Sequence, residues 1–474
     1  MKLLVRGGTL VTPGGLFQAD VLVSGETIVG IGRDCDWTVD RIINATGCYV
    51  FPGAIDAHVH MGFVIGEFTS TDDFDTGTRA AAYGGVTTLI DFAMPSKEET
   101  SSAALQRRIK EAHDHSYVDF GVHAVINRVS ETIDEEIQRC ITLGAPDFKV
   151  FTVYEGLALD DGALHNVMRS ARAVGGLVMV HAENAALIEA NQARLAAEGK
   201  LGPYSHYLSR STLVEAEAVQ RVLALQEETQ CPLHFVHISA EKSVRHIQAA
   251  KQAGRPVTAE TCPHYLFHTC EVYEGPKGAL YMVSPAIKTA VDRHALWRAL
   301  AEDGIDTVAT DHCPFNSEQK MKYATDFRRI PTGLPGVETT LSLLFTAWQE
   351  RTLPLERLVE VISTNPAKRF GLFPRKGTLQ PGSDADIVIY DPRPTWRIEP
   401  QRLHMNVDWN PFDGRTIRGR VRTVLLRGEP LIEEGEWREK KPRGQFQRRS
   451  VTSPENRTTI TEERSNIVGI NSIK

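Results

Sequence analysis

Phe51-Pro-Gly-Ala-Ile-Asp-Ala-His-Val-His60 is an apolar run that ends in two histidines one residue apart. In a β-strand, residues i and i+2 point to the same face, so His58 and His60 can reach one metal ion from a strand end. Two ordinary histidines would satisfy an isolated pair of this kind, but this pair has company. Apolar strand candidates lie at 54–59, 87–92, 118–126, 148–153, 177–182, 233–238, 256–260 and 307–311. Amphipathic or Ala-rich helix candidates run between them, among them 72–83, 101–114, 131–142, 211–229, 241–253 and 291–302. Eight strands separated by helices are what a (β/α)8, TIM-like barrel requires, and residues 54–370 form that α/β unit. An open doubly wound sheet would show a Gly-rich phosphate turn after its first strand; none stands there.

The two ends of the chain read differently from the middle. Leu3–Arg6, Asp20–Val23 and Thr27–Ile31 are short strands broken by Gly, as are Ala385–Tyr390 and Val421–Leu426 near the other end. Chain termini often lie close together. Residues 1–53 and 371–449 are therefore expected to form one small β-sandwich domain beside the barrel. Residues 450–474 are polar and aperiodic and are expected to form a mobile tail.

Composition excludes several classes. With 474 residues, 42% hydrophobic and 24% charged, the chain reads as globular. A net charge of -7 leaves no basic footprint for nucleic acid. No apolar run approaches the roughly 20 residues of a membrane span, and residues 1–12 lack a signal-peptide core. Seven widely spaced cysteines without a Cys-x-x-Cys fit free thiols in a reducing cytoplasm.

In a barrel of this kind the active site sits at the C-terminal ends of the strands. His58 and His60 fall there on the first strand, Lys149 on the fourth, His181 on the fifth, His237 on the sixth and Asp311 on the eighth. Four histidines and a carboxylate suit zinc or another first-row divalent metal. His237, inside Leu233-His-Phe-Val-His-Ile-Ser239, also fits a packed core histidine. Lys149 sits among apolar neighbours in Asp147-Phe-Lys-Val-Phe-Thr-Val-Tyr154. Either its stem runs out to solvent, or burial yields a neutral amine. Such an amine can take up CO2 to form a carbamate able to bridge two metals.

These segments resemble the dihydropyrimidinase and D-hydantoinase family of cyclic amidohydrolases, within the amidohydrolase superfamily. The matching stretches are PGAIDAHVH (52–60), TSTDDFDTGTRAAAYGGVTTLIDF (69–92), FKVFTVYEG (148–156), GLVMVHAEN (176–184), HFVHIS (234–239), AETCPHYL (259–266), MVSPAI (282–287) and ATDHCPF (309–315). They are several, long and in order, and the likeness covers residues 1 to about 449. The resemblance implies a binuclear zinc centre held by His58, His60, carboxylated Lys149, His181, His237 and Asp311. It implies ring opening of dihydropyrimidines or 5-substituted hydantoins to N-carbamoyl amino acids by a metal-bridging hydroxide. Asp311 would relay the proton, Tyr154 would hold the oxyanion, and Ser284 would grasp the cyclic amide or imide through its backbone. Thr332 and Gly333 would supply the second backbone contact. A homotetramer, or a homodimer, is the implied assembly, with Arg438–Phe446 as an interface arm.

The chain departs from the family pattern in three places. Gly62 stands where hydantoinases commonly have Asp. Ile330-Pro-Thr-Gly333 replaces Ile-Pro-Asn-Gly. Ala259-Glu-Thr-Cys-Pro-His264 is more like allantoinases and dihydroorotases. Allantoinase is therefore the alternative enzyme, and a non-catalytic scaffold protein is the alternative of another class. No Arg follows the His-x-His to meet a carboxylated substrate such as dihydroorotate. Met61–Phe68, with Leu157 and Leu159, would form an apolar wall for a ring substituent, or part of a subunit interface.

Overall fold

The computed structural model describes residues 1–33, 35–350 and 353–451. Residues 452–474, which make up most of the tail expected to be mobile, lie outside the described residues. Eight parallel strands pair in chain order: β1 (Ala54–Val59), β2 (Val86–Ala93), β3 (Asp119–Val125), β4 (Asp147–Phe151), β5 (Leu177–His181), β6 (Leu233–Phe235), β7 (Val257–Thr261) and β8 (Thr307–Val308). Every residue of these strands is buried. That is why the segments read as continuous apolar runs rather than alternating ones. The barrel closes where Val59 bridges His312 and where the Asp56 carboxylate accepts the Thr310 N–H (3.0 Å) and hydroxyl (2.6 Å).

β6 and β8 stop earlier than the apolar pattern predicts, at 235 and 308 rather than 238 and 311. His237 (φ +40°) and Asp311 (φ +52°) are left-handed, a conformation that no strand ladder accommodates. The helices sit close to their expected spans, and local signals set their starts. Asp73 and Thr76 form a capping box for Phe74–Tyr83, and Thr289 and Asp292 form one for Ala290–Ala301. The β5 to β6 connection is the most elaborate, passing through helices Ala185–Ala197, Tyr204–Ser209 and Thr212–Thr229.

Both chain ends enter one nine-stranded sheet, and this is the small β-unit expected beside the barrel. Tyr49–Pro52 joins its halves. It runs parallel to Lys2–Thr12 and antiparallel to Ile387–Tyr390, then leads straight into β1. Alternation along these strands serves two cores. Val50, Ile387, Ile389 and Leu425 pack within the β-unit, whereas Phe51, Val388, Tyr390, Val424 and Leu426 pack toward the barrel.

The N-terminal ends of the barrel strands are sealed by charge pairs. Lys376 Nζ lies 2.7 Å from Asp119, 2.7 Å from Asp386 and 3.0 Å from Asp384. Arg427 also pairs with Asp119. Gln445 and Gln447 pair with the backbone of Phe120, and the Arg449 N–H donates to Gly144. This carries the buried Arg449 guanidinium onto Asp147, whose carboxylate also holds His123. The end of the expected interface arm thus docks on its own barrel.

Candidate metal centre and its cavity

A cavity of about 360 Å³ opens at the C-terminal ends of the strands. Every residue singled out from the sequence as a ligand or a substrate contact lines it. His58 Nε2 lies 3.2 Å and His60 Nε2 3.1 Å from Asp311 Oδ1. Two ligand atoms bound tetrahedrally to one zinc, each ~2.0–2.1 Å away, would sit roughly 3.3 Å apart, so this trio has the spacing for a shared ion. His181 and His237 face each other, with ring centroids 4.5 Å apart. His237 Nδ1 is buried without a hydrogen-bond partner. An orphaned buried nitrogen costs about 1–3 kcal/mol, and a bound cation would relieve that cost. Donor set and orphan together fit a divalent metal centre.

Lys149 lies between the two histidine groups and is 1% exposed. Its Nζ is 5.0 Å from the ring centroids of Phe92 and Phe151. No carboxylate among the described residues comes within ion-pair reach. The outward-running stem is thereby corrected, because β4 points this side chain into the barrel interior. Burial pushes the amine down to about 8 and His58 down to about 4. His181 and His237 are lowered by the same cause. The imidazoles are therefore neutral near pH 7, as metal ligands must be. For Asp311, burial is outweighed by His58 and by the hydrogen bond and charge of His60, which hold it at about 2.

Two carboxylates that the sequence reading did not single out orient the ligands. Glu260 Oε1 lies 2.7 Å from His58 Nδ1 and also accepts the His237 backbone N–H. Glu183 Oε2 lies 2.8 Å from His181 Nε2. Each leaves the other ring nitrogen facing the cavity, which is how outer-shell carboxylates fix a metal-binding tautomer. Glu183 also pairs with the buried Arg210, whose guanidinium lies 5.5 Å from the Tyr154 ring centroid. Burial raises the Tyr154 phenol to about 12, so it remains a proton donor.

Backbone strain gathers here. Eight described non-glycine residues have positive φ, and Tyr154 (+82°), His237 and Asp311 are three of them. Such outliers persist only where the surroundings over-determine them, characteristically at functional sites. Gly333 is required as glycine, since a Cβ there would lie 2.3 Å from the Cys313 carbonyl oxygen. Phe63, Val64, Ile65, Met94 and Leu157 give the cavity an apolar side. Leu159, expected in that wall, is buried in the barrel core instead, because the chain turns back at Tyr154 to bond Phe151.

Residues 49–431 match the amidohydrolase family. The chain is 38% identical to a D-hydantoinase of Streptomyces coelicolor over 459 residues, 95% of this chain and 98% of that one. It is 37% identical to a D-phenylhydantoinase of Escherichia coli over 96% and 99% of the two chains. The crystal structure of dihydropyrimidinase from Brevibacillus agri superposes with a TM-score of 0.94 at 37% identity, covering 96% of this chain and 100% of that one. An L-hydantoinase from Arthrobacter aurescens superposes at 0.87 and 32% identity, covering 94% and 99%. With its barrel, its histidine-rich strand ends and these likenesses along nearly its whole length, the chain belongs to the amidohydrolase family.

Proposed function

We propose that the protein is a metal-dependent hydrolase that opens the cyclic amide bond of dihydropyrimidines or 5-substituted hydantoins, releasing N-carbamoyl amino acids. The observation that carries the reading is the cavity itself. A floor of imidazoles and one ionised carboxylate meets an apolar wall on one side and the backbone at Ser284, Thr332 and Gly333 on another. The hydantoinase and dihydropyrimidinase names of the relatives support the substrate class. They weigh against allantoinase. The intact ligand set weighs against a non-catalytic scaffold. A homotetramer acting in the cytoplasm belongs to the same reading.

His58, His60, Lys149, His181, His237 and Asp311 would hold two divalent ions, with zinc the best match to the donors. Such ions, when bound, make hydroxide available near neutral pH and polarise the scissile carbonyl. The remaining steps belong to the chain. The deprotonated fraction of the Lys149 amine, enlarged by burial, adds to CO2, forming an N–C bond and releasing a proton, so that a cation becomes a two-oxygen anion. Asp311 accepts the proton of the attacking water and returns it to the leaving ring nitrogen. Tyr154 donates its phenolic hydrogen to the developing oxyanion. Ser284 and the Thr332–Gly333 peptide hold the ring edge.

The test is kcat/KM of zinc-loaded protein for dihydrouracil, a 5-substituted hydantoin and allantoin, with Lys149→Ala as control. Preference for either of the first two, abolished in the control, is the expected result. Preference for allantoin would overturn the substrate assignment.

A further inference from the structure

Met282–Ile287 is an irregular stretch, buried except at Ser284. Backbone polar groups in such a place need partners, and an unusual set of buried side chains provides them. The Met282 carbonyl accepts Lys320 Nζ (2.6 Å) and the Gly333 N–H (2.9 Å). The Val283 carbonyl accepts His206 Nε2 (2.7 Å), Pro285 the Tyr265 hydroxyl (2.7 Å) and Ala286 Lys288 Nζ (3.0 Å). Ser284 interrupts this series. No hydrogen bond from the described residues reaches its peptide groups, and it faces the cavity.

Lys320 is the costly member of the set. It is fully buried, with no carboxylate within ion-pair reach among the described residues. Lysine is almost never buried unless paired. The Met282 carbonyl already has the Gly333 N–H, so satisfying that oxygen does not require a lysine. What Lys320 adds is reach. It stands on helix Ser317–Met321, in the connection after β8 that goes on to carry Thr332 and Gly333, and it grips the connection after β7 that carries Ser284.

We propose that Lys320 is a positioning residue for substrate recognition. By holding the Met282 carbonyl against Gly333 it sets the gap between the Ser284 peptide and the Thr332–Gly333 peptide, into which the –CO–NH– edge of a cyclic amide or imide fits. The inference rests on the ring-opening function proposed above. It assigns Lys320 to binding of the ring edge, not to the chemical step or to metal retention.

The test compares wild-type zinc-loaded enzyme with Lys320→Met and Lys320→Arg on hydantoin and dihydrouracil, with metal content and Tm measured alongside. A small displacement of a positioning group can cost on the order of 10–100-fold in kcat/KM. For Lys320→Met this loss is expected in KM, with kcat nearly unchanged, metal content unchanged, and Tm equal or higher. Lys320→Arg keeps a cation with a different donor geometry and is expected to recover part of the KM. An unchanged KM in Lys320→Met, or a fall in Tm or kcat without a KM effect, would overturn the assignment while leaving the function intact. Failure of the wild-type enzyme to open any cyclic amide would overturn both. If Lys320→Met does not fold, the KM of Lys320→Gln decides by the same criterion.

Discussion

The two ends of the barrel both bury clustered charge, yet they treat it in opposite ways. Among the described residues, two groups of side chains are spaced closely enough to hold a cation: His58, His60 and Asp311 at the C-terminal ends of the strands, and Asp119, Asp384 and Asp386 at the N-terminal ends. In the second group the cation is already present, as Lys376, with each aspartate within 3.0 Å of its Nζ. In the first, no cation of the chain stands among the ligand atoms, and beside it His237 Nδ1 has no hydrogen-bond partner. Buried carboxylates gathered round a cation of the chain hold a fold together, whereas a ligand-type cluster without one is open to a cation from outside. Geometric closeness of acidic or imidazole groups does not separate the two cases; the presence or absence of a built-in cation does.

Substitutions at the two ends should break the protein in different ways. The largest effect is expected from Lys149→Ala, which removes the would-be bridging ligand and should reduce turnover to background with loss of bound metal, read by elemental analysis. At the opposite end Lys376→Met strands three aspartates around an apolar side chain. Breaking a buried pair costs about 3–5 kcal/mol, so Tm should drop sharply while metal content and kcat, measured well below Tm, stay as in wild type. Loss of metal in Lys376→Met would erase the contrast.

Tyr154→Phe sharpens the contrast within the upper end. Removal of one oxyanion donor costs about 10²–10³ in kcat, and here metal content should not change; an undiminished kcat would refute the assigned role. Glu260→Gln should be milder. Outer-shell partners of metal-bound histidines contribute roughly 10–100-fold in metal affinity or activity, so competition with a chelator should show the weakened site.

The effect of pH centres on Lys320, whose pKa burial pushes from 10.5 down to about 7. Between about pH 7 and 10.5 the unfolded chain binds a proton there that the folded chain does not. Stability therefore rises with pH through that window and is lost as pH falls toward 7. Lys320→Met should flatten this part of the Tm-against-pH curve; parallel curves for the two proteins would contradict it.

The clustering of the proposed ligands was legible in the sequence because each lies in or just after an apolar strand segment, and those segments converge in a barrel. The alternation of strands and helices carried the fold for the same reason. The orienting groups were not legible. Glu260 reaches His58 across 202 residues of chain, and Arg210 gains meaning only beside Glu183 and Tyr154. Nothing local marks Lys320 as buried, since it lies in a polar stretch, Asn316-Ser-Glu-Gln-Lys320. The early ends of β6 and β8 were hidden too, because apolar patterning reports burial and not the sign of φ.

The docking of Arg449 beneath the barrel bears on how the molecule is made. Asp147 begins β4, yet its cationic partner lies 302 residues further along the chain. Tyr49–Pro52 likewise waits for Ile387–Tyr390 to complete its pairing. On a ribosome, the N-terminal sheet must therefore keep an open edge until Tyr390 has been synthesised, and Asp147 must wait for its guanidinium until Arg449 has. Folding that ordinarily proceeds from the N-terminus as the chain emerges here waits for segments several hundred residues further on, so a nascent chain stalled short of them would be a natural client for chaperones.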